Sequence, residues 1–279
     1  MTTATLHPTP APTPQQSARR HAVSDSITMT SRNLLHMIRY PGLTVFTVLL
    51  PVVFLLLFVY VFGGAIGVGL PGGAAGGREA YLAYVLPGIL LITIAGTAAG
   101  TSITVSMDMT EGIVARFRTM AISRAAVLTG HVLGNTIQGL IAVTVVLGVS
   151  MLIGFRPTAN PLEWMAAFGM TALILLAITW LAVAMGMASK SVESASNLPT
   201  LLVLLPFLGS GFVPTDSMPT VMQIFADYQP FTPFIETIRG LLLGTPIGWS
   251  WLWALLWCLA IGVAGYVWSL RLYNRRSVV

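Results

Sequence analysis

The chain has 279 residues, of which 55% are hydrophobic and only 8% charged, and its mean hydropathy is +0.82. This composition excludes a soluble globular protein and leaves room for one membrane domain without a folded soluble domain beside it. The net charge of +5 forms no patch or basic helix of the kind that nucleic-acid binding needs, so we expect no nucleic-acid partner. The single cysteine, Cys258, excludes an intrachain disulfide.

The N-terminal region divides into two segments. Residues 1–25 are rich in Pro, Thr, Ala and Gln, which predicts a disordered tail. In residues 26–39 apolar side chains recur at helical spacing, and Arg32, His36 and Arg39 occupy other faces. This pattern predicts an amphipathic helix that lies along the membrane interface. An ordinary lead-in to the first membrane span is the alternative.

Six apolar runs follow, with almost no charge inside them, and a helix needs roughly 20 such residues to cross a bilayer. The fifth run is short. The sequence therefore predicts an all-α membrane protein with six transmembrane helices, at residues 44–62, 84–107, 128–155, 165–189, 198–212 and 249–270.

The distribution of charge between the loops predicts the orientation of the chain. If the six helices alternate, the side that holds both termini carries eleven basic and four acidic residues. The opposite side carries three basic and five acidic residues. Because basic residues concentrate in cytoplasmic loops, both termini are expected to be cytoplasmic.

The second predicted helix carries a stripe of hydroxyl side chains, since Thr93, Thr97, Thr101 and Thr104 are spaced by four or three residues. Glycines at small-xxx-small spacing accompany this stripe, and small and hydroxyl residues are typical of contacts between membrane helices. We therefore favour helix packing. A role for Thr93, Thr97 and Thr101 in lining a substrate path stays open, as does such a role for Phe207 and Phe212 on the apolar fifth helix.

The loop between the second and third predicted helices is the most specific part of the sequence. Asp108 and Glu111 have the spacing of a capping box, which predicts the start of a helix. Apolar residues then alternate with Arg116 and Arg118 in an amphipathic pattern over residues 107–124. This helix either anchors the loop in lipid or docks a soluble partner, and the residues alone favour neither reading.

Residues 213–248 contain five prolines yet remain apolar. The segment is too interrupted to span the membrane and too apolar for water. Short re-entrant helices at the outer leaflet are expected, because non-helical backbone at membrane depth must be buried in protein.

The spans carry no side chain that could energise transport or catalyse a reaction. No Asp, Glu, Lys or Arg lies deep within them, whereas ion-coupled carriers usually retain such groups. A zinc-protease motif is absent, and no combination of acid, base and nucleophile converges on the spans. The energy for transport is therefore expected from another polypeptide. A self-contained channel or ion-coupled secondary transporter is the alternative.

Several short blocks follow one another along the chain: YVFGG at 60–64, YVLPGI at 84–89, DMTEG at 108–112, RFR at 116–118, GFRP at 154–157, SGFVP at 210–214, PFTP at 230–233 and RGL at 239–241. These blocks and their order resemble the ABC type-2 membrane permeases, and within them the daunorubicin and doxorubicin resistance permeases of actinobacteria. One departure from that pattern is Gln229, where many relatives have asparagine.

The resemblance implies a single transmembrane domain over residues 26–279, acting as the permease subunit of an ATP-driven exporter in the bacterial plasma membrane. It implies two copies of this chain and two of a separate nucleotide-binding subunit, which would hold ATP and Mg, so this chain would need no cofactor and supply no catalytic residue. The loop would be a cytoplasmic coupling helix, with contacts to the ATPase from Asp108, Glu111, Gly112, Arg116, Phe117 and Arg118.

The resemblance also implies that residues 26–39 form a connecting helix near the ATPase and that residues 213–248 form an extracellular re-entrant hairpin. A pathway with so little charge suits an amphiphilic substrate, such as a drug, an antibiotic or a lipid. Membrane lipids and a second copy of the chain would be its other partners.

Overall fold

The computed structural model describes residues 41–67, 77–110 and 124–275, and every regular element within these ranges is a helix. The predicted interfacial helix at 26–39 lies outside the described residues. So do Glu111, Gly112, Arg116, Phe117 and Arg118 of the predicted coupling loop.

Within these ranges, five helices are long and apolar enough to cross a membrane. The first, α1 (Pro41–Leu57), continues through a π-helical turn (Phe58–Phe62) into a short helix (Gly63–Ile66). The others are α2 (Gly77–Thr110), α3 (Arg124–Leu152), α4 (Pro161–Ala188) and, last in the chain, α8 (Ser250–Arg275).

The predicted fifth span differs most from expectation. An apolar helix, α5, covers Val192–Leu208 and is interrupted after Asn197 and again by a 3₁₀ turn at Leu205–Leu208. It therefore begins and ends earlier than the predicted run at 198–212. Two short helices follow, α6 (Thr220–Tyr228) and α7 (Phe231–Leu243), which we call the hairpin. The short helices expected within residues 213–248 are thus present.

Several other boundaries lie outside the predicted apolar runs, although α3 ends at Leu152 rather than at residue 155 and α4 at Ala188 rather than at residue 189. The first span extends to Ile66, since the glycines after Phe62 continue the helix. The second begins at Gly77 rather than Tyr84, with Arg78 and Glu79 in its first turn. Hydropathy locates the apolar part of a helix, whereas hydrogen bonding continues into the polar residues that flank it.

The central element is α2, which is 34 residues and about 51 Å long at 1.5 Å per residue. Of the five candidate spans it is the most enclosed, with 78% of its apolar window buried against 17% for α8. Helices α1, α3, α4, α5 and α7 all contact it. The core therefore forms around α2, whereas α8 packs mainly on α4 and leaves most of its surface exposed.

The two ends of the bundle are distinguished by their loops. The backbone N–H of Thr158 donates to the Leu242 carbonyl at 3.1 Å, so the α3–α4 connection and the hairpin share one end, the hairpin end. Towards the other end, the loop end, the Ser102 hydroxyl donates to the Ala195 carbonyl at 2.9 Å and joins α2 to the start of α5.

Close backbone contact determines how α8 packs on α4. A Cβ atom added to Gly265 would lie 2.6 Å from the backbone nitrogen of Leu181, so only glycine fits this crossing. One turn earlier the contact is looser, because a Cβ on Gly262 would meet Ala177 at an ordinary 3.7 Å. Small residues allow this approach, as is typical of helices that pack in lipid.

The two glycines of α8 make a matched pair of variants. Gly265→Ala should destabilise the protein by about 1–3 kcal/mol, because the backbone of α4 cannot move aside as a side chain could. Gly262→Ala should be neutral or slightly stabilising, since alanine is the better helix former. Thermal unfolding in mild detergent measures both, and equal midpoints for the two variants would contradict this packing.

Candidate functional site

Helix α5 ends inside the bundle rather than at its surface. After the 3₁₀ turn, Gly209 is extended and the chain turns through residues 209–212. The turn lies against α2 at Gly88, which is about 16 Å from the start of that helix at 1.5 Å per residue. Backbone carbonyls therefore leave the helical hydrogen-bond ladder inside the protein, where a buried polar group needs another partner.

The turn and α2 approach each other backbone to backbone. A Cβ atom on Gly88 would lie 2.9 Å from both the Cα and the carbonyl oxygen of Gly211. A Cβ on Gly211 would in turn lie 2.8 Å from the Pro206 carbonyl oxygen. Both glycines belong to the sequence blocks that carried the resemblance, so part of that resemblance reflects a single steric requirement.

Two side chains of the hairpin satisfy the freed carbonyls. Gln229 is buried between α6 and α7, and its Nε2 donates to the Leu205 carbonyl at 3.1 Å. Arg239 of α7 donates from Nη2 to the Ser210 carbonyl at 2.7 Å. The hairpin, which follows α5 in sequence, thus supplies hydrogen-bond donors to the carbonyls at the end of the interrupted helix.

Arg239 also joins the hairpin to α2. Its Nη2 donates to the Tyr84 carbonyl at 3.0 Å, and its guanidinium carbon lies 4.0 Å from the centroid of the Tyr84 ring. Its Nη1 donates to Glu236 Oε1 at 2.6 Å, one turn away on the same helix. The arginine is buried, whereas Arg78, Arg156, Lys190 and Arg271 are exposed.

Five phenylalanines form a cluster between α1 and the end of α5. Phe207 and Phe212 stack with their centroids 4.5 Å apart and their planes at 9°. Phe58 of the π-helical turn contacts Phe212 at 4.7 Å and Phe207 at 6.2 Å, and Phe54 and Phe62 extend the row along α1. The structure therefore brings together the two phenylalanines proposed for the substrate path and adds Phe54 of α1 and Phe58 and Phe62 of the π-helical turn.

The threonine stripe of α2 is buried and internally bonded. Thr93, Thr97 and Thr101 are each at most 2% exposed. Their hydroxyls donate to the carbonyls four residues earlier, at 2.9, 2.8 and 3.1 Å. This arrangement is typical of hydroxyl residues inside membrane helices. In this conformation the stripe packs within the bundle and is separate from bulk solvent, so its role in a substrate path stays a prediction.

Near the loop end, an ion pair connects the two helices that flank residues 111–123. Asp108 Oδ2 of α2 lies 3.1 Å from Nε2 of His131 of α3, and the two side chains are 14% and 10% exposed. Asp108 is inside the last turn of α2, so the helix start that its spacing with Glu111 predicted is not observed. The coupling role of Asp108 stays a prediction.

Three of these residues were not identified as functional from the sequence. In the sequence, Arg239 is only part of the RGL block at 239–241, Gln229 is only a departure from relatives, and His131 carries no prediction. A signal for Arg239 did exist, because it stands with Glu236 three residues earlier in an otherwise apolar helix. An arginine in such a setting is expected to have a specific partner.

Within the described residues, five apolar helices of membrane-spanning length and the shorter, interrupted α5 define a multi-pass membrane protein. The chain belongs to the ABC-2 type transporter family, whose sequence model matches residues 25–243. The resemblance noted from the sequence blocks is therefore confirmed.

Curated relatives come from two bacterial genera. The chain is 28% identical over 267 residues to the daunorubicin resistance ABC transporter permease protein of Streptomyces coeruleorubidus, covering 94% of this chain and 90% of the relative. It is 24% identical over 268 residues to a probable doxorubicin resistance ABC transporter permease protein of Mycobacterium tuberculosis, covering 92% and 91%. These similarities agree with the expected place of the chain as a multi-pass protein of the bacterial plasma membrane.

A double-mutant cycle tests the ion pair between α2 and α3. Asp108→Ala and His131→Ala should each lower the thermal midpoint, and the double variant should lose less than the two losses combined. We expect a coupling free energy of about 0.5–3 kcal/mol, because either single variant already removes the contact between the two side chains. Strictly additive losses would show that the two side chains do not interact.

Proposed function

We propose that this chain is the transmembrane subunit of an ATP-driven exporter of amphiphilic compounds and that a separate nucleotide-binding subunit supplies the energy. The observation that carries the proposal is the family match, which covers residues 25–243. The names of the curated relatives, daunorubicin and doxorubicin resistance permeases, support a drug-like substrate. A lipid or an antibiotic would also fit as an amphiphilic substrate.

Force from the ATPase would enter through residues 111–123. In this proposal Glu111, Gly112, Arg116, Phe117 and Arg118 contact the nucleotide-binding subunit, which binds ATP and Mg. Helices α2 and α3 leave the two ends of this segment, and the Asp108–His131 pair joins them. Movement of the segment would therefore be delivered to both helices together, as a rigid-body displacement.

The substrate would pass beside the interrupted helix. Phe207 and Phe212 offer apolar faces next to α1, and offset stacking on such faces suits a planar aromatic compound. The hydroxyls of Thr93, Thr97 and Thr101 donate to their own helix, so a substrate would reach them only after α2 separates from its neighbours.

The proposed assembly accounts for the exposed apolar faces. Membrane lipids and a second copy of this chain would cover them, among them the α1 face at Val45, Leu49 and Val53. If α5 also crosses the membrane, the chain has six crossings and both termini lie in the cytoplasm. The hairpin then lies at the extracellular side as a re-entrant element, and residues 26–39 lie along the cytoplasmic interface.

Purification of the tagged chain from native membranes in mild detergent tests the central claim. Mass spectrometry should find a soluble ATPase in stoichiometric amount, and the eluate should hydrolyse ATP. A preparation of this chain alone that carries out ion-gradient-driven flux in liposomes would instead establish a secondary transporter or channel.

Glu111→Ala tests the coupling segment. We expect normal membrane insertion but about tenfold lower transport-linked ATP hydrolysis, because a contact to the ATPase is lost outside the membrane. Glu193→Ala is the matched control, since this glutamate is exposed at the same end of the bundle. Unchanged transport in Glu111→Ala would remove this residue from the coupling site.

Phe207→Ala and Phe212→Ala test the phenylalanine cluster as a substrate surface. Each should raise the daunorubicin concentration needed for half-maximal stimulation of ATP hydrolysis by about tenfold, as expected when an aromatic contact worth roughly 1 kcal/mol or more is removed. Phe225→Ala is the control, because Phe225 is exposed on α6. Equal responses in all three variants would place the substrate elsewhere.

A further inference from the structure

We infer that Arg239 is a positioning residue that fastens the hairpin and the end of α5 to α2, so that these parts move as one unit. The inference rests on the proposed function only where it concerns the source of the movement. Its structural part depends on the contacts of the buried guanidinium.

The guanidinium contacts three separate parts of the chain. Arg239 itself belongs to α7, its Nη2 donates to the Ser210 carbonyl after α5, and the same nitrogen donates to the Tyr84 carbonyl of α2. The residue pairs are 29 and 155 positions apart in sequence. Lysine could supply the charge but not the planar fork that also stacks on the Tyr84 ring.

Burial makes these contacts costly to lose. The side chain of Arg239 is 9% exposed, and in that setting an unpaired guanidinium or a freed carbonyl has no water to replace its partner. Separation of α7 from α2 would break the hydrogen bond from Arg239 to the Tyr84 carbonyl and the contact of the guanidinium with the Tyr84 ring. Separation therefore requires more free energy than a rigid displacement of all three parts together.

The contacts with α2 also lie on both sides of Pro87, where this helix lacks one backbone hydrogen bond. Pro87 has no backbone N–H, so the helix lacks the hydrogen bond to the Ala83 carbonyl at this level. Arg239 holds the residue just before this gap, Tyr84, and the Gly88–Gly211 contact lies just after it. A displacement of the long part of α2 is thereby carried past the proline to the hairpin.

The same helix reaches the opposite end of the bundle. From Tyr84 to Asp108, which pairs with His131, α2 runs about 36 Å at 1.5 Å per residue. One continuous helix thus connects the segment proposed to receive force with the hairpin. Arg239 is the point at which that helix holds the hairpin.

Spin-label distance measurements test this arrangement. In a Cys258→Ala background, Glu79→Cys on α2 and Val221→Cys on α6 provide an exposed pair of labelling sites. The doubly labelled chain is diluted into unlabelled chain so that distances within one copy dominate, and the distance distribution is recorded in lipid nanodiscs for the complex with its ATPase, without nucleotide and with trapped ATP. Arg239→Gln and Arg239→Lys are compared with Arg156→Gln, in which an exposed arginine of the same end is replaced.

The Arg156→Gln protein should give one narrow distribution whose centre is the same in both nucleotide states. Arg239→Gln should increase the width of the distance distribution about twofold, because hinge motion replaces rigid displacement. Arg239→Lys should give a width between those of Arg156→Gln and Arg239→Gln. ATP hydrolysis should remain within about twofold, since the ATPase contacts are at the other end.

Two results would overturn the inference. One is a distribution in both Arg239 variants that matches Arg156→Gln. The other is a shift of the distance between nucleotide states when Arg239 is present. If no ATPase accompanies the chain, the proposed function fails, and the nucleotide-free distributions still decide whether Arg239 holds the hairpin. If Arg239→Gln does not fold, Arg239→Lys provides the comparison.

Discussion

The structure depends on one constraint: a backbone carbonyl that leaves a helix inside the membrane must find its partner within the protein. Helix α5 ends inside the bundle, and there the carbonyls of Leu205 and Ser210 accept hydrogen bonds from Gln229 and Arg239. The hairpin therefore cannot be placed independently of α5. Its position in turn fixes the beginning of α2, and α2 organises the core.

Glycine and proline play complementary parts in this arrangement. Gly88 and Gly211 let two backbones touch, and Gly209 leaves space for the amide of Gln229. Pro206 and Pro87 remove donors from α5 and α2 near the same level of the bundle. The short sequence blocks around these residues are thus different parts of one three-dimensional contact, although they lie far apart in the chain.

Hydropathy predicted most of the architecture because the spanning helices are long, apolar and locally determined. It misplaced α5, since a helix stopped by Pro206 and Gly209 leaves Phe212 in an apolar run that is no longer helical. The capping-box spacing placed Asp108 at the start of a new helix, because spacing in the sequence does not show that His131 lies opposite Asp108. The partners of Arg239 could not be predicted for the same reason: its contacts with Tyr84 and Ser210 are set by tertiary packing.

The pairing of Arg239 with Glu236 at 2.6 Å has an electrical consequence. A charge that crosses a membrane potential gains or loses about 2.3 kcal/mol per 100 mV. Because the carboxylate is carried on the same helix as the guanidinium, the two charges travel together and their work against the field cancels. Helix α7 has no other charged side chain, so it can be displaced at any membrane potential for the same free energy, and the electrical state of the cell would neither assist nor oppose its movement.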